Sequence, residues 1–181
     1  MKKGVTLIEL VVVVALGAIL LSIASLSVIK VKEGRALVEG KNKIVQALRQ
    51  QLVKSFNTGE IYEIKFDYNI KKIEVREITG IKTLKEQLEL PKILKYTTVY
   101  DDAKLSEAIA LTNSKGGMVD SFSIYIFGVD DKARYRISID KINKPSGLAY
   151  INTYKNKNSD INYDNVQVKH YDFNYDKWKK E

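Results

Sequence analysis

The sequence predicts an α+β fold, in which one long amino-terminal helix, apolar in its first half and amphipathic in its second, precedes a set of antiparallel strands. Three observations carry that expectation. A nearly uncharged run fills Val5 to Ile29, apolar residues recur at helical spacing from Leu37 to Phe56, and from Ile61 onward short alternating segments are punctuated by Asn, Asp and Gly. At 181 residues and 20.6 kDa, the chain has room for one ordinary domain and an appendage.

The first element, Val5 to Ile29, holds a single charged residue, Glu9. As a helix rising about 1.5 Å per residue it would span roughly 37 Å, against a hydrocarbon core of about 30 Å. It is therefore expected to be a membrane segment. Lys2 and Lys3 precede it and Lys30 and Lys32 follow, so flanking charge does not orient it sharply; the hydrophilic remainder favours the amino end in the cytoplasm. Glu9 is the anomaly. A carboxylate at mid-bilayer costs on the order of 2.5 to 3.5 kcal/mol, less where it can reach the interface. Three readings stay open on the residues alone: a plain signal anchor, a secretory signal cleaved near Ser22-Ile23-Ala24, and a segment in which Glu9 has a specific role.

Beyond the apolar run, Leu37, Ile44, Leu48, Leu52 and Phe56 form a stripe with Val38, Val45 and Val53 beside it, while Lys41, Lys43, Arg49 and Lys54 take other directions. The helix should continue and lie on something. Gly34 and Gly40 each weaken it by about 1 kcal/mol relative to alanine and are expected to be its bending points. Asn57-Thr58-Gly59 ends it, with Gly59 suited to a left-handed cap.

Strands follow. Ile61 to Asp67 and Ile73 to Ile78, around a turn at Asn69, read as a hairpin. Leu84 to Leu90 is ambiguous between short helix and strand, and Pro91 ends it either way. Ile93 to Tyr100 is expected to be extended, Asp101 or Asp102 to cap a helical turn reaching Leu111, and Asn113 to Gly117 to be a loop. Ser121 to Phe127 and Ala133 to Asp140 make a second hairpin, and Leu148 to Tyr154 a further strand. The total is four to seven strands.

Composition removes several function classes. Without cysteine there are no disulfides, thiolate metal sites or thiol nucleophiles, and with His170 as the single histidine no multi-histidine metal centre can be built. The expectation is no catalytic residue, no cofactor and no metal. A net charge of +8 and a pI near 9.4 permit an anionic partner without specifying one. After Asn152, tyrosines, asparagines and lysines interleave as in single-strand nucleic-acid sites, but Asp160, Asp164, Asp172, Asp176 and Glu181 balance the lysines. Val166 to Tyr171 is read as an edge strand and His170 as a surface or strand-end residue.

The first ten residues, Met1-Lys2-Lys3-Gly4-Val5-Thr6-Leu7-Ile8-Glu9-Leu10, resemble the class III leader of type IV pilins and pseudopilins. The resemblance implies a pilin-like lollipop fold and a cut between Gly4 and Val5 by a prepilin peptidase, which then methylates Val5, where the commoner residue is Phe. It implies the divisions 1–4 leader, 5–30 membrane and assembly helix, 31–57 amphipathic continuation and 58–181 globular domain. It also gives Glu9 a role, since in a staggered bundle its carboxylate reaches the Val5 ammonium of a neighbouring subunit. In low dielectric such a pair is far stronger than in water, and each charge alone is expensive. Ala15, Gly17, Ala18 and Ala24 are small enough for close helix contacts, or are ordinary small residues of a membrane helix.

Glu89-Leu90-Pro91-Lys92-Ile93, followed by Ile124 to Gly128, Tyr135 to Ile139 and Ala149 to Ile151, is similar in order to minor pseudopilins of the GspH/FimT and competence ComGD type. The function so implied is a structural, minor subunit of a type IV pilus or type II secretion-like pseudopilus serving secretion, adhesion and motility, or DNA uptake. Its partners would be other pilin subunits, the peptidase, an inner-membrane assembly platform and, at the filament level, nucleic acid; its place, the cytoplasmic membrane with the carboxyl-terminal domain outside. The alternative is a monomeric, membrane-anchored extracytoplasmic binding domain.

Overall fold

The computed structural model describes residues 7–141, 149–171 and 174–181, without the side chains of residues 22–27 and 175. The chain divides into two units, Met1–Arg35 and Ala36–Glu181. One helix, α1 (Leu7–Thr58), runs from the first into the second. Within the first unit apolar side chains are exposed in every direction, from 49% at Val12 to 80% at Leu7. Val11, Val12, Val13 and Val14, turned 100° from one another, leave this stretch no polar face. Among the described residues no helix is long and apolar enough to cross a membrane; the apolar run of the sequence continues through residues 22–27.

In the second unit the amphipathic part of α1 packs on strands. Ten strands are present among the described residues, more than the four to seven expected, because the stretch expected as a helical turn up to Leu111 forms two strands, the ambiguous stretch around Leu84 is a strand, and the carboxyl-terminal segment adds another. One sheet has the order β3-β2-β1-β6, built from β1 (Ile61–Asp67), β2 (Lys72–Thr79), β3 (Ile81–Glu89) and β6 (Glu107–Leu111). The other has the order β10-β9-β8-β7-β4-β5, from β4 (Lys95–Tyr100), β5 (Ala103–Leu105), β7 (Phe122–Phe127), β8 (Ala133–Asp140), β9 (Tyr150–Asn156) and β10 (Trp178–Lys180). Every pairing is antiparallel.

The expected helical turn after Asp101 is replaced by the β4–β5 hairpin. Asp101 and Asp102 both take positive φ, 45° and 60°, which is the geometry of a two-residue hairpin turn and not of a helix cap. The ambiguous stretch around Leu84 is the edge strand β3. Its attachment explains an otherwise costly residue, Glu63, whose side chain on β1 is 4% exposed: Lys82 of β3 meets it at 2.5 Å and Arg76 of β2 at 3.5 Å. A buried carboxylate needs such partners.

The main core joins Ile44, Ala47, Leu48 and Leu52 of α1 to Ile64 and Phe66 of β1, Ile73 and Val75 of β2, and Ile124, Ile126, Ile137 and Ile139 of β7 and β8. Phe56, expected on this stripe, is 57% exposed, and Ser55 is buried instead. Eleven residues at 100° each bring Ser55 back under Ile44 within about 20°, whereas Phe56 points about 120° away. The Ser55 hydroxyl lies 2.5 Å from the carbonyl oxygens of Glu60 and Asn113 and accepts a 3.1 Å hydrogen bond from Thr112. Gly59, at φ 75°, closes α1 as expected, its N–H donating to the Ser55 carbonyl at 2.9 Å.

Gly40 has a packing role. A Cβ there would lie 2.8 Å from the hydroxyl of Tyr96. That ring is 2% exposed and stacked on Tyr68 with centroids 5.9 Å apart, so it has no room to swing away. In an ordinary exposed helix position Gly→Ala stabilises by about 1 kcal/mol. Here Gly40→Ala is expected to destabilise by about 1 to 3 kcal/mol through overpacking, measured by denaturant unfolding. Adding Tyr96→Phe, which removes the colliding atom, should recover most of that loss.

The six-stranded sheet is covered on both faces. All six residues of β7 are buried: Ile124 and Ile126 face the main core, while Tyr125 and Phe127 join a second cluster with Tyr154, Ile161, Val166 and Trp178. The Asn- and Tyr-rich carboxyl-terminal segment thus supplies the lid of a second core. Val166 to Tyr171, expected as an edge strand, contains instead a short helix, α2 (Val166–Lys169). The Asn162 side chain accepts from the N–H groups of Asp164 and Asn165, which turns the chain into the helix. His170, at its end, is half-buried and shares a 3.0 Å hydrogen bond with Tyr125, and burial, aided by the Arg136 charge, pushes its pKa down to about 4.

Candidate functional site: the amino-terminal leader and helix

The sequence places its candidate functional residues at the start of the chain. Gly4 and Val5, the expected cleavage and methylation positions, lie outside the described residues. Glu9 is described. It sits in the first turn of α1 and is exposed, as are its apolar neighbours Ile8 and Leu10.

The local sequence explains why the helix begins with such an unusual surface. Leu, Ile and Val fill nearly every position from 7 to 16, so there is no side on which this helix could lie against a domain and keep water on the other. An exposed apolar surface of this extent marks contact with lipid or with another chain. Gly17 and Gly34 have open space where a Cβ would stand, so nothing within the chain itself demands glycine there.

Residues 1–25 match a family model described as the prokaryotic N-terminal methylation motif. The amino end is thus similar to a prepilin-type methylation leader. The match spans the Gly4–Val5 junction and Glu9 together, as well as most of the apolar run. Two solved structures of the minor pseudopilin EpsH from the type II secretion system of Vibrio cholerae are similar in fold to about two thirds of the chain. One has 13% identity, covers 66% of this chain and 94% of its own, and has a TM-score of 0.49. The other has 13% identity, 64% and 94% coverage, and a TM-score of 0.48. No curated protein matches.

Among the described residues no three His, Asp or Glu side chains are grouped to hold a metal ion. Asp101 and Asp102 belong to a hairpin turn, and His170 packs against Tyr125. What the described part of the amino-terminal segment presents is a helix with apolar residues on every side.

Proposed function

We propose that this chain is a structural subunit, of the minor class, of a type IV pilus or type II secretion-like pseudopilus. The observation that carries the reading is the methylation motif over residues 1–25, which puts Gly4, Val5 and Glu9 in register with an apolar helix. Residues 1–4 are removed by the prepilin peptidase, Val5 becomes the methylated amino terminus, and residues 5–30 anchor the subunit in the cytoplasmic membrane until it is assembled. Residues 31–57 continue the helix onto the extracytoplasmic domain, residues 58–181. No catalysis is assigned to it.

The exposed apolar surface of α1 supports this reading, since a bundle of like helices would cover on all sides what the isolated helix leaves bare. Epitope-tagged chain in its own cell is expected in the sheared-filament fraction, together with other pilin subunits. A chain confined to the membrane fraction of filament-producing cells would favour the monomeric anchored domain instead.

A further inference from the structure

The turn between β1 and β2, the start of β4 and the carboxyl-terminal segment enclose a cleft of about 290 Å³ that none of these roles uses. Its walls include Tyr68, Asn69, Lys71, Lys95, Tyr96 and Tyr163. Two ammonium groups meet there from different sheets. Lys71 belongs to the β1–β2 turn, held at φ 58°, and its Nζ lies 5.2 Å from the centre of the Tyr96 ring. Lys95 opens β4 and reaches Asp131 at 2.7 Å. Among the described residues Lys71 has no carboxylate at salt-bridge distance.

The arrangement is electrostatically unfinished. Lys71 is half-buried, and both that burial and the neighbouring Lys95 charge hold its ammonium below the ordinary lysine range. Lys95 is already met by Asp131, so an arriving anion would chiefly answer Lys71, with the Lys95 ammonium as its second contact. The aromatic walls limit what that anion carries. The Tyr163 ring already has Lys104 at 4.2 Å and Lys95 at 5.4 Å from its centre, with Phe127 edge-on at 5.3 Å. Tyr68 and Tyr96 are 3% and 2% exposed. With cations over the Tyr163 ring and the Tyr68 and Tyr96 rings stacked on one another and buried, the fitting ligand is compact. Lysines act as point charges that grip a tetrahedral oxyanion from separate directions, whereas a flat carboxylate is better matched by the planar fork of arginine.

We propose that this cleft binds a phosphoryl oxyanion through Lys71 and Lys95, with the Asn69 amide available as a neutral donor. The phosphoryl group can be free or carried on a lipid headgroup, since the chemistry recognised is the same. The site stands independently of the filament reading.

The test uses the full chain in neutral maltoside micelles, titrated with inorganic phosphate against chloride of equal ionic strength and followed by amide NMR. Saturable shifts confined to Asn69, Lys71, Lys95 and Tyr163 are expected. Lys71→Gln should weaken binding about tenfold, the loss of one charge-assisted hydrogen bond. Lys71→Arg, which keeps the charge, should stay within about threefold, and Lys85→Gln, on β3 away from the cleft, should change nothing. A parallel arm reconstitutes the chain in phosphatidylcholine vesicles with or without phosphatidic acid. Shifts of the same residues with phosphatidic acid and none with inorganic phosphate would assign the lipid-borne source. Absence of saturable shifts in both arms, or binding unaltered in a folded Lys71→Gln protein, would overturn the proposal.

Discussion

Replacing Glu9 by Ala is expected to reduce incorporation into filaments by tenfold or more, while membrane insertion and cleavage after Gly4 are retained. In the proposed filament the Glu9 carboxylate pairs with the Val5 ammonium of a neighbouring subunit. Insertion improves because a charge leaves an apolar helix. Cleavage persists because the scissile glycine is untouched. Assembly suffers because removing one member of a buried pair strands the other, at roughly 3 to 5 kcal/mol. The measurement is the fraction of Glu9→Ala protein in sheared filaments with wild-type partners present. A monomeric anchor would show the first two effects and no assembly defect. A subunit placed at the filament tip, with no earlier subunit to provide the ammonium, would tolerate the change, so full incorporation rejects axial pairing through Glu9.

The second large effect concerns the amphipathic part of α1. A chain beginning at Lys32 is expected to fold and remain monomeric in water, because it loses the bare apolar stretch and keeps Ile44, Ala47, Leu48 and Leu52, all buried against both sheets. A chain beginning at Asn57 is expected not to fold. Leu48→Ala alone should cost about 2 to 5 kcal/mol, and the truncation removes that residue together with its buried neighbours and Ser55. Denaturant unfolding and sedimentation of the two chains are the measurements. Aggregation of the Lys32 chain that only residues 1–31 relieve would mean that the packing of α1 has been misassigned.

Legibility in the sequence followed the range of the physics involved. The helix and the Ile61–Asp67 hairpin rest on local periodicity and turn chemistry, and both stand where expected. The Asp101–Asp102 turn was read as a cap, because an aspartate pair before Ala103 satisfies either geometry locally, and only the pairing of β4 with β5 and β7 selects the hairpin. Phe56 was placed on the buried stripe by its hydrophobicity, although the helical period favours Ser55, a polar residue whose burial depends on Glu60, Thr112 and Asn113. Gly40 looked like a weakness because its reason, the Tyr96 hydroxyl, is 56 residues away in sequence. Separation in sequence also hides the Lys71 and Lys95 cleft, whose residues come from different strands and turns. The leader motif lies in contiguous residues, so its resemblance is readable directly from the sequence, and a family model matches the same stretch, residues 1–25.

The central claim, that the leader is processed and the chain thereby becomes a filament subunit, is tested most directly by intact-mass and amino-terminal analysis of the protein recovered from its own cell. The account expects a chain beginning at Val5, with Met1 to Gly4 and both leader lysines gone and one methyl group on the new amino terminus. A chain that still begins at Met1, or one that begins at Ser25 after cleavage as a secretory signal, would contradict it.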